Sequence, residues 1–202
     1  MVTDLVPSLT GYRLILASGS PRRRELLGML GVEFDVEVPR DVEETYPDSL
    51  SPHQVPADLS QLKSRAYAHS YGMSGKVVVT SDTIVICRGE ILGKPTGPDD
   101  ARRMLHELSG RSHTVVTGVT VAWAGGSVTE SASTEVDFAH LTDFEIDAYV
   151  DRFRPFDKAG AYGIQEWIGC IGVKGIRGSF YNVMGLPLHL LYTMFRQVPP
   201  RH

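Results

Sequence analysis

Cysteine is scarce: Cys87 and Cys170 are the only two thiols among 202 residues, too few for a disulfide framework or a thiolate metal cluster. The seven histidines contain no His-x-x-x-His pair at metal-binding spacing. An excess of one charge is also missing. Twenty Lys and Arg stand against 24 Asp and Glu, a formal net charge of -4, so nucleic acid could be attracted only by a local patch. A bulk DNA-binding role is disfavoured. No apolar run approaches the length of a membrane span, and the opening "MVTDLVPSLTGYR" carries Asp4 and Pro7 where an export signal would have a basic start and an apolar stretch. Repeats and low-complexity tracts are absent too. The expectation is a soluble cytoplasmic protein with no nucleic-acid or membrane partner, and a hydrophobic content of 42% is enough for a real core.

What is present alternates strand and helix. "RLILA", Arg13 to Ala17, is a short apolar run stopped by "SGS", as a buried strand would be. Ser20 then stands as cap of a helix beginning at Pro21, with Leu26, Leu27 and Leu30 as its apolar stripe and Gly31 as its stop. "VEFDVEV", Val32 to Val38, alternates like a half-buried strand, and a polar, proline-rich connection carrying Glu43 and Glu44 follows. A helix is expected from about Ala57 to Tyr71, then a β-rich run, "KVVVTSDTIVI", with a polar insert. Ala101, Met104, Leu105 and Leu108 give "GPDDARRMLHEL" a helical stripe. Thr114 to Trp123 and Val128 to Phe138 flank Gly125-Gly126 as a hairpin. "LTDFEI" offers a capping box, Thr142 with Glu145, and a staple between Leu141 and Ile146. A glycine-rich segment runs from Lys158 to Gly178, and a last short helix is expected near Pro187. Early alternation followed by a long hairpin predicts an α/β fold with a mixed sheet.

Three places carry chemistry. A strand handing over through Ser18-Gly19-Ser20 to a helix aims backbone N–H groups and two hydroxyls at one spot, where the helix dipole favours an anion, and Arg22 and Arg23 add bidentate donors. The stretch reads as a phosphate cradle, or else as a capped helix whose arginines are merely solvated. It lacks the Walker spacing. Asp82, inside an apolar strand, needs a metal, a cation or hydrogen-bonding neighbours such as Thr80, Ser81 and Thr83. An acid so placed is a candidate metal ligand or general base, and Glu43 and Glu44 are acids that would complete a hard-oxygen site; as loop residues they could equally be only solvated. In "FDKAGAYGIQ", small residues permit close backbone approach while Asp157, Lys158 and Gln165 supply polar groups, in a binding turn or a tightly packed one. Lys63 and Lys94, taken singly, are unremarkable.

Taken together and in order, "LASGSPRRRELL", "SDTIV" with "LGKP", "LSGRSHTVVTGV", "FDKAGAYGIQ" and "NVMGLPL" resemble the Maf family, also called septum formation inhibitor proteins, from about Leu14 to Leu190. The resemblance implies one domain over 1–202 with a short extension at 1–12. It implies an elongated, inosine-triphosphatase-like α/β fold with two lobes around a central cleft, and a homodimer. The implied activity is a nucleoside triphosphate pyrophosphatase using a divalent metal, Mg2+ or Mn2+, with Co2+ as a further candidate. Position by position, it implies catalytic roles for Asp82, Glu44 and Lys63, with Asp82 and Glu44 on the metal and Glu43 as an alternative to Glu44. It implies substrate contacts for Ser18, Ser20, Arg22, Arg23, Lys94 and Gln165. The "SPRR" and "GAYGIQ" blocks resemble the dTTP/UTP subgroup, with house-cleaning of the nucleotide pool as its role. Two competing readings are a nucleotide-binding regulator of cell division and a hydrolase of modified purine triphosphates.

Overall fold

The computed structural model describes residues 5–39 and 42–201, so residues 1–4 of the expected extension lie outside the described residues. The strands are β1 (Arg13–Leu16), β2 (Asp35–Val36), β3 (Lys76–Cys87), β4 (Glu90–Leu92), β5 (Ser112–Trp123), β6 (Gly126–Phe138) and β7 (Val173–Arg177). The helices are α1 (Pro21–Gly28), α2 (Val55–Tyr71), α3 (Pro98–Leu108), α4 (Asp143–Phe153), α5 (Trp167–Gly172), α6 (Phe180–Met184) and α7 (Leu188–Phe195). A seven-stranded sheet has the order β2-β1-β3-β5-β6-β7, with β4 paired to β3 off that path. β1 pairs in parallel with β2 and β3, whereas β3–β4 and β6–β7 are antiparallel, so the expected mixed α/β sheet is present.

The chain forms two compact units, the first from the described parts of Met1–Asp82, Thr117–Ala132 and Gly185–His202, the second from Thr83–Val116 and Ser133–Met184. In the first, β1 and the start of β3 are buried on both faces, and Leu26 and Leu27 are the residues that α1 buries. Pro21 begins α1 and Ser20 caps it, as its sequence predicts. α2 begins at Val55, slightly earlier than expected, and its first turn lies against β5 at Gly118. A Cβ there would stand 2.3 Å from the Pro56 carbonyl, so glycine is what lets helix and strand meet.

In the second unit, α3 buries Ala101, Met104, Leu105 and Leu108 and packs on α4 and on the short 3-10 turn Ala159–Ala161. Thr142 and Glu145 form the expected capping box of α4. His113, Phe138 and Tyr162 meet edge to face, with centroids 4.9 to 5.4 Å apart.

Two expectations needed correction. Within Val32 to Val38 only Asp35 and Val36 pair, and Val36 and Val38 are exposed. The alternation is overridden because Glu37 accepts a 2.5 Å hydrogen bond from the buried Tyr67 and an ion pair from Arg13, and so turns the opposite face toward the protein. The glycine-rich 158–178 segment, given no elements from sequence, contains α5 and β7. Gly169 permits α5, since a Cβ there would stand 1.8 Å from the Ile164 carbonyl oxygen.

Candidate active site

The parallel strands β1 and β3 bring two of the three chemical stretches to neighbouring positions, because Ala17 donates to the Val79 carbonyl just where each strand turns polar. Past that point, Ser18 Oγ accepts from the Ser20 amide at 3.3 Å and from an Arg23 guanidinium nitrogen at 3.4 Å. Arg23 Nε donates to the Gly185 carbonyl at 2.9 Å. Ser81 Oγ donates to the same carbonyl at 3.3 Å. Arg23 is thereby fixed by its own helix turn and by the "NVMGLPL" block, a positioning role for Gly185 that no local pattern announced. Burial lowers the Arg23 pKa, and the nearby Arg22 adds to this, while Asp82 and Glu44 oppose it.

Lys63, on α2, donates to Asp82 Oδ1 at 2.6 Å and stands 3.0 Å from Glu44 Oε2. The Lys63 and Asp82 side chains are 15% and 13% exposed, so little solvent screens this pair, whereas Glu44 is half-exposed. Thr80 and Ser81 do not serve Asp82 as expected: Thr80 Oγ1 donates to the Ser60 carbonyl at 2.7 Å and Ser81 to Gly185. The polar insert in β3 thus ties α2 and the 185 turn to the strand through Thr80 and Ser81, while the Asp82 carboxylate meets the Lys63 ammonium.

Ser18, Ser20, Arg22, Arg23, Glu44, Lys63 and Asp82 all belong to the first unit, and they join through the contacts just described or through the charge felt at Arg23. Arg22 is half-buried beside Arg23 on α1. A cavity of about 540 Å³ opens beside the Ser18–Pro21 turn, with Arg24, Glu25 and Phe34 in its wall. Among the described residues no three His, Cys, Asp or Glu side chains form a set able to hold a metal ion by themselves. Asp82 and Glu44 are two hard carboxylates converging on one cation, a donor set that fits a magnesium-type ion which takes its remaining ligands from water and phosphate.

Lys94 and Gln165 belong to the second unit, and both are exposed. The Lys94 turn is tied down by the Gly160 amide donating to the Gly93 carbonyl at 3.0 Å. Beside Gln165, Glu166 accepts from the Tyr149 hydroxyl and pairs with the buried Lys158 at 3.1 Å, while Tyr149 accepts from the Gly163 amide at 3.0 Å. Burial and the Glu166 bond both push the Tyr149 hydroxyl pKa up. "FDKAGAYGIQ" is therefore a rigid polar turn that presents Gln165 outward.

These features define an α/β protein whose chemistry gathers at the ends of parallel strands, and its fold is shared with the solved structure of the Staphylococcus aureus Ham1 protein, with a TM-score of 0.56 at 17% identity over 92% of this chain and 98% of that one. The chain belongs to the Maf family: the model for Maf-like protein matches residues 13–198. It is 48% identical to a protein of Phocaeicola vulgatus named dTTP/UTP pyrophosphatase, over 96% of this chain and all of that one. A Porphyromonas gingivalis protein of the same name is 50% identical, over 94% of this chain and 96% of the relative.

Proposed function

We propose that this chain is a metal-dependent nucleoside triphosphate pyrophosphatase that hydrolyses dTTP and UTP to the nucleoside monophosphate and pyrophosphate. The observation that carries the reading is the Arg23–Asp82–Lys63–Glu44 cluster beside a helix N-terminus. Fixed positive groups of this kind support phosphate binding, and the held Asp82 carboxylate supports a role in proton transfer. The names of the relatives supply the bases.

Arg23, held by Gly185 and Ser18, binds phosphate oxygens without first having to be ordered, and Arg22 and the α1 N-terminus add to the same field. Lys63 holds Asp82 in place. Asp82 accepts the proton of a water whose oxygen attacks the α-phosphorus; the bond from that phosphorus to the bridging oxygen breaks, and pyrophosphate leaves. Lys94 and Gln165 are proposed as further contacts to substrate. Asp82 and Glu44 are the residues that would hold Mg2+ or Mn2+, which when bound supplies charge neutralisation at the phosphates.

The reading carries with it a cytoplasmic homodimer with a role in clearing the nucleotide pool. Both cysteines are free, which suits a reducing compartment, and among the described residues no helix is long and apolar enough to cross a membrane. The test is a panel of pyrimidine and purine triphosphates with Mg2+, Mn2+ or EDTA, assaying pyrophosphate and orthophosphate separately. Pyrophosphate from dTTP and UTP, lost in EDTA, is expected. Orthophosphate as first product, or turnover unchanged by EDTA, would overturn the assignment.

A further inference from the structure

One face of α2 meets the 37–44 segment at three points. Lys63, Tyr67 and Tyr71 follow one another at four-residue spacing, so they line one side of the helix. Lys63 pairs with Glu44 at 3.0 Å. One turn on, the fully buried Tyr67 donates its hydroxyl to Glu37 Oε2 at 2.5 Å. One turn further, Tyr71 donates to the Val38 carbonyl at 3.2 Å. Around this middle rung, Lys76 Nζ donates to the Tyr67 hydroxyl at 3.0 Å and Arg13 pairs with Glu37 at 2.9 Å, while burial and Glu37 both raise the Tyr67 pKa, so the hydroxyl stays a donor. β2 pairs over only two residues, both exposed, and the Glu37 amide extends this edge by donating to the Leu16 carbonyl at 3.2 Å.

We propose that Tyr67 is a positioning residue for catalysis: α2 holds Glu37 through Tyr67, Val38 through Tyr71 and Glu44 through Lys63, so losing the Tyr67 hydroxyl loosens the hold of the helix on the chain around Glu44. The chemical residue of α2 and the residues that locate its acidic partner thus share one rigid helix. Tyr67 itself touches no reacting group. This inference rests on the proposed role of Glu44, and its test has one arm that is independent of activity.

Tyr67→Phe keeps the buried ring and removes only the hydroxyl, and Glu37 retains Arg13 and Lys76 as cationic partners. Deuterium uptake by the 42–50 peptide should rise in the variant while α2 peptides exchange as in wild type. In dTTP turnover kcat should fall about tenfold or more, with KM within about twofold, as a displaced catalytic acid predicts. In a Glu44→Gln background the same change should cost less than about twofold, because the route through Glu44 is already cut. Tyr71→Phe, at an exposed hydroxyl, should show the same signature more weakly. Unchanged uptake at 42–50, or a full additional loss in the Glu44→Gln background, would overturn the inference. A wild-type protein that hydrolyses no triphosphate would overturn the function, and the exchange arm would still decide the positioning claim.

Discussion

His113 makes the sharpest test of the buried core of the second unit. It is 3% exposed, its Nε2 lies 2.7 Å from the Tyr162 hydroxyl, and among the described residues its Nδ1 has no hydrogen-bond partner. Burial lowers its pKa from 6.5 to about 4, with Asp137 pulling weakly the other way. The unfolded chain therefore takes up a proton below about pH 6.5 that the folded protein refuses until about pH 4, so stability is complete above that window and falls as the pH drops through it. At about 1.4 kcal/mol per pH unit the loss between pH 7.5 and 5.5 is about 1 kcal/mol, growing to about 3 kcal/mol at the acid end of the window. Glu37, Asp100, Asp137 and Glu145 have pKa values lowered by their hydrogen bonds, so they stay ionised in both states over the upper part of the window and do not contribute there. Urea unfolding at pH 7.5 and 5.5, at one ionic strength, compares wild type with His113→Phe. The variant carries a fixed cost for the unpaired Tyr162 hydroxyl but should lose about 1 kcal/mol less on acidification. Equal losses in the two proteins would refute a neutral, buried His113.

Three substitutions test the contacts that build the site. Gly118→Ala drives a Cβ to 2.3 Å from the backbone of Pro56, at the start of the helix that carries Lys63, and should cost about 3 kcal/mol or more in urea unfolding; a loss below about 1 kcal/mol would show that helix and strand separate easily. Arg23→Ala removes the proposed charge-assisted phosphate donor held by Gly185 and should lower kcat/KM for dTTP on the order of thirty-fold, corresponding to about 2 kcal/mol, whereas near wild-type turnover would dismiss the cradle. Asp82→Asn should lower kcat by about a hundred-fold while the melting temperature barely moves, since the amide oxygen still accepts from Lys63; a destabilised variant with full specific activity would make Asp82 structural.

What could be read from the chain alone was what local chemistry decides. Pro21 after Ser20, the Ala101–Leu108 stripe and the Thr142–Glu145 box each specify their helix within a few residues, and each is present. Asp82 stood out because an acid in an apolar strand demands a partner, yet the partner, Lys63, sits 19 residues away on a helix where an exposed lysine is ordinary. The alternation of Val32 to Val38 misled because Glu37 is claimed by Tyr67, 30 residues distant, and no local period records that. Gly169 likewise permits α5 through a contact with the Ile164 carbonyl, a close approach that reads in sequence only as another glycine. Gly185 is legible as part of the "NVMGLPL" block, but its use as the carbonyl that fixes Arg23 and Ser81 depends on contacts between residues 162 and 104 positions apart.

The proposed step is attack of water on the α-phosphorus beside Asp82, and the position of bond cleavage decides it. dTTP hydrolysed by the wild-type protein in heavy-oxygen water should yield thymidine monophosphate carrying the heavy oxygen and unlabelled pyrophosphate, both resolved by mass spectrometry, with the labelled product lost in Asp82→Asn. Label in the pyrophosphate, or thymidine diphosphate with labelled orthophosphate, would contradict the mechanism.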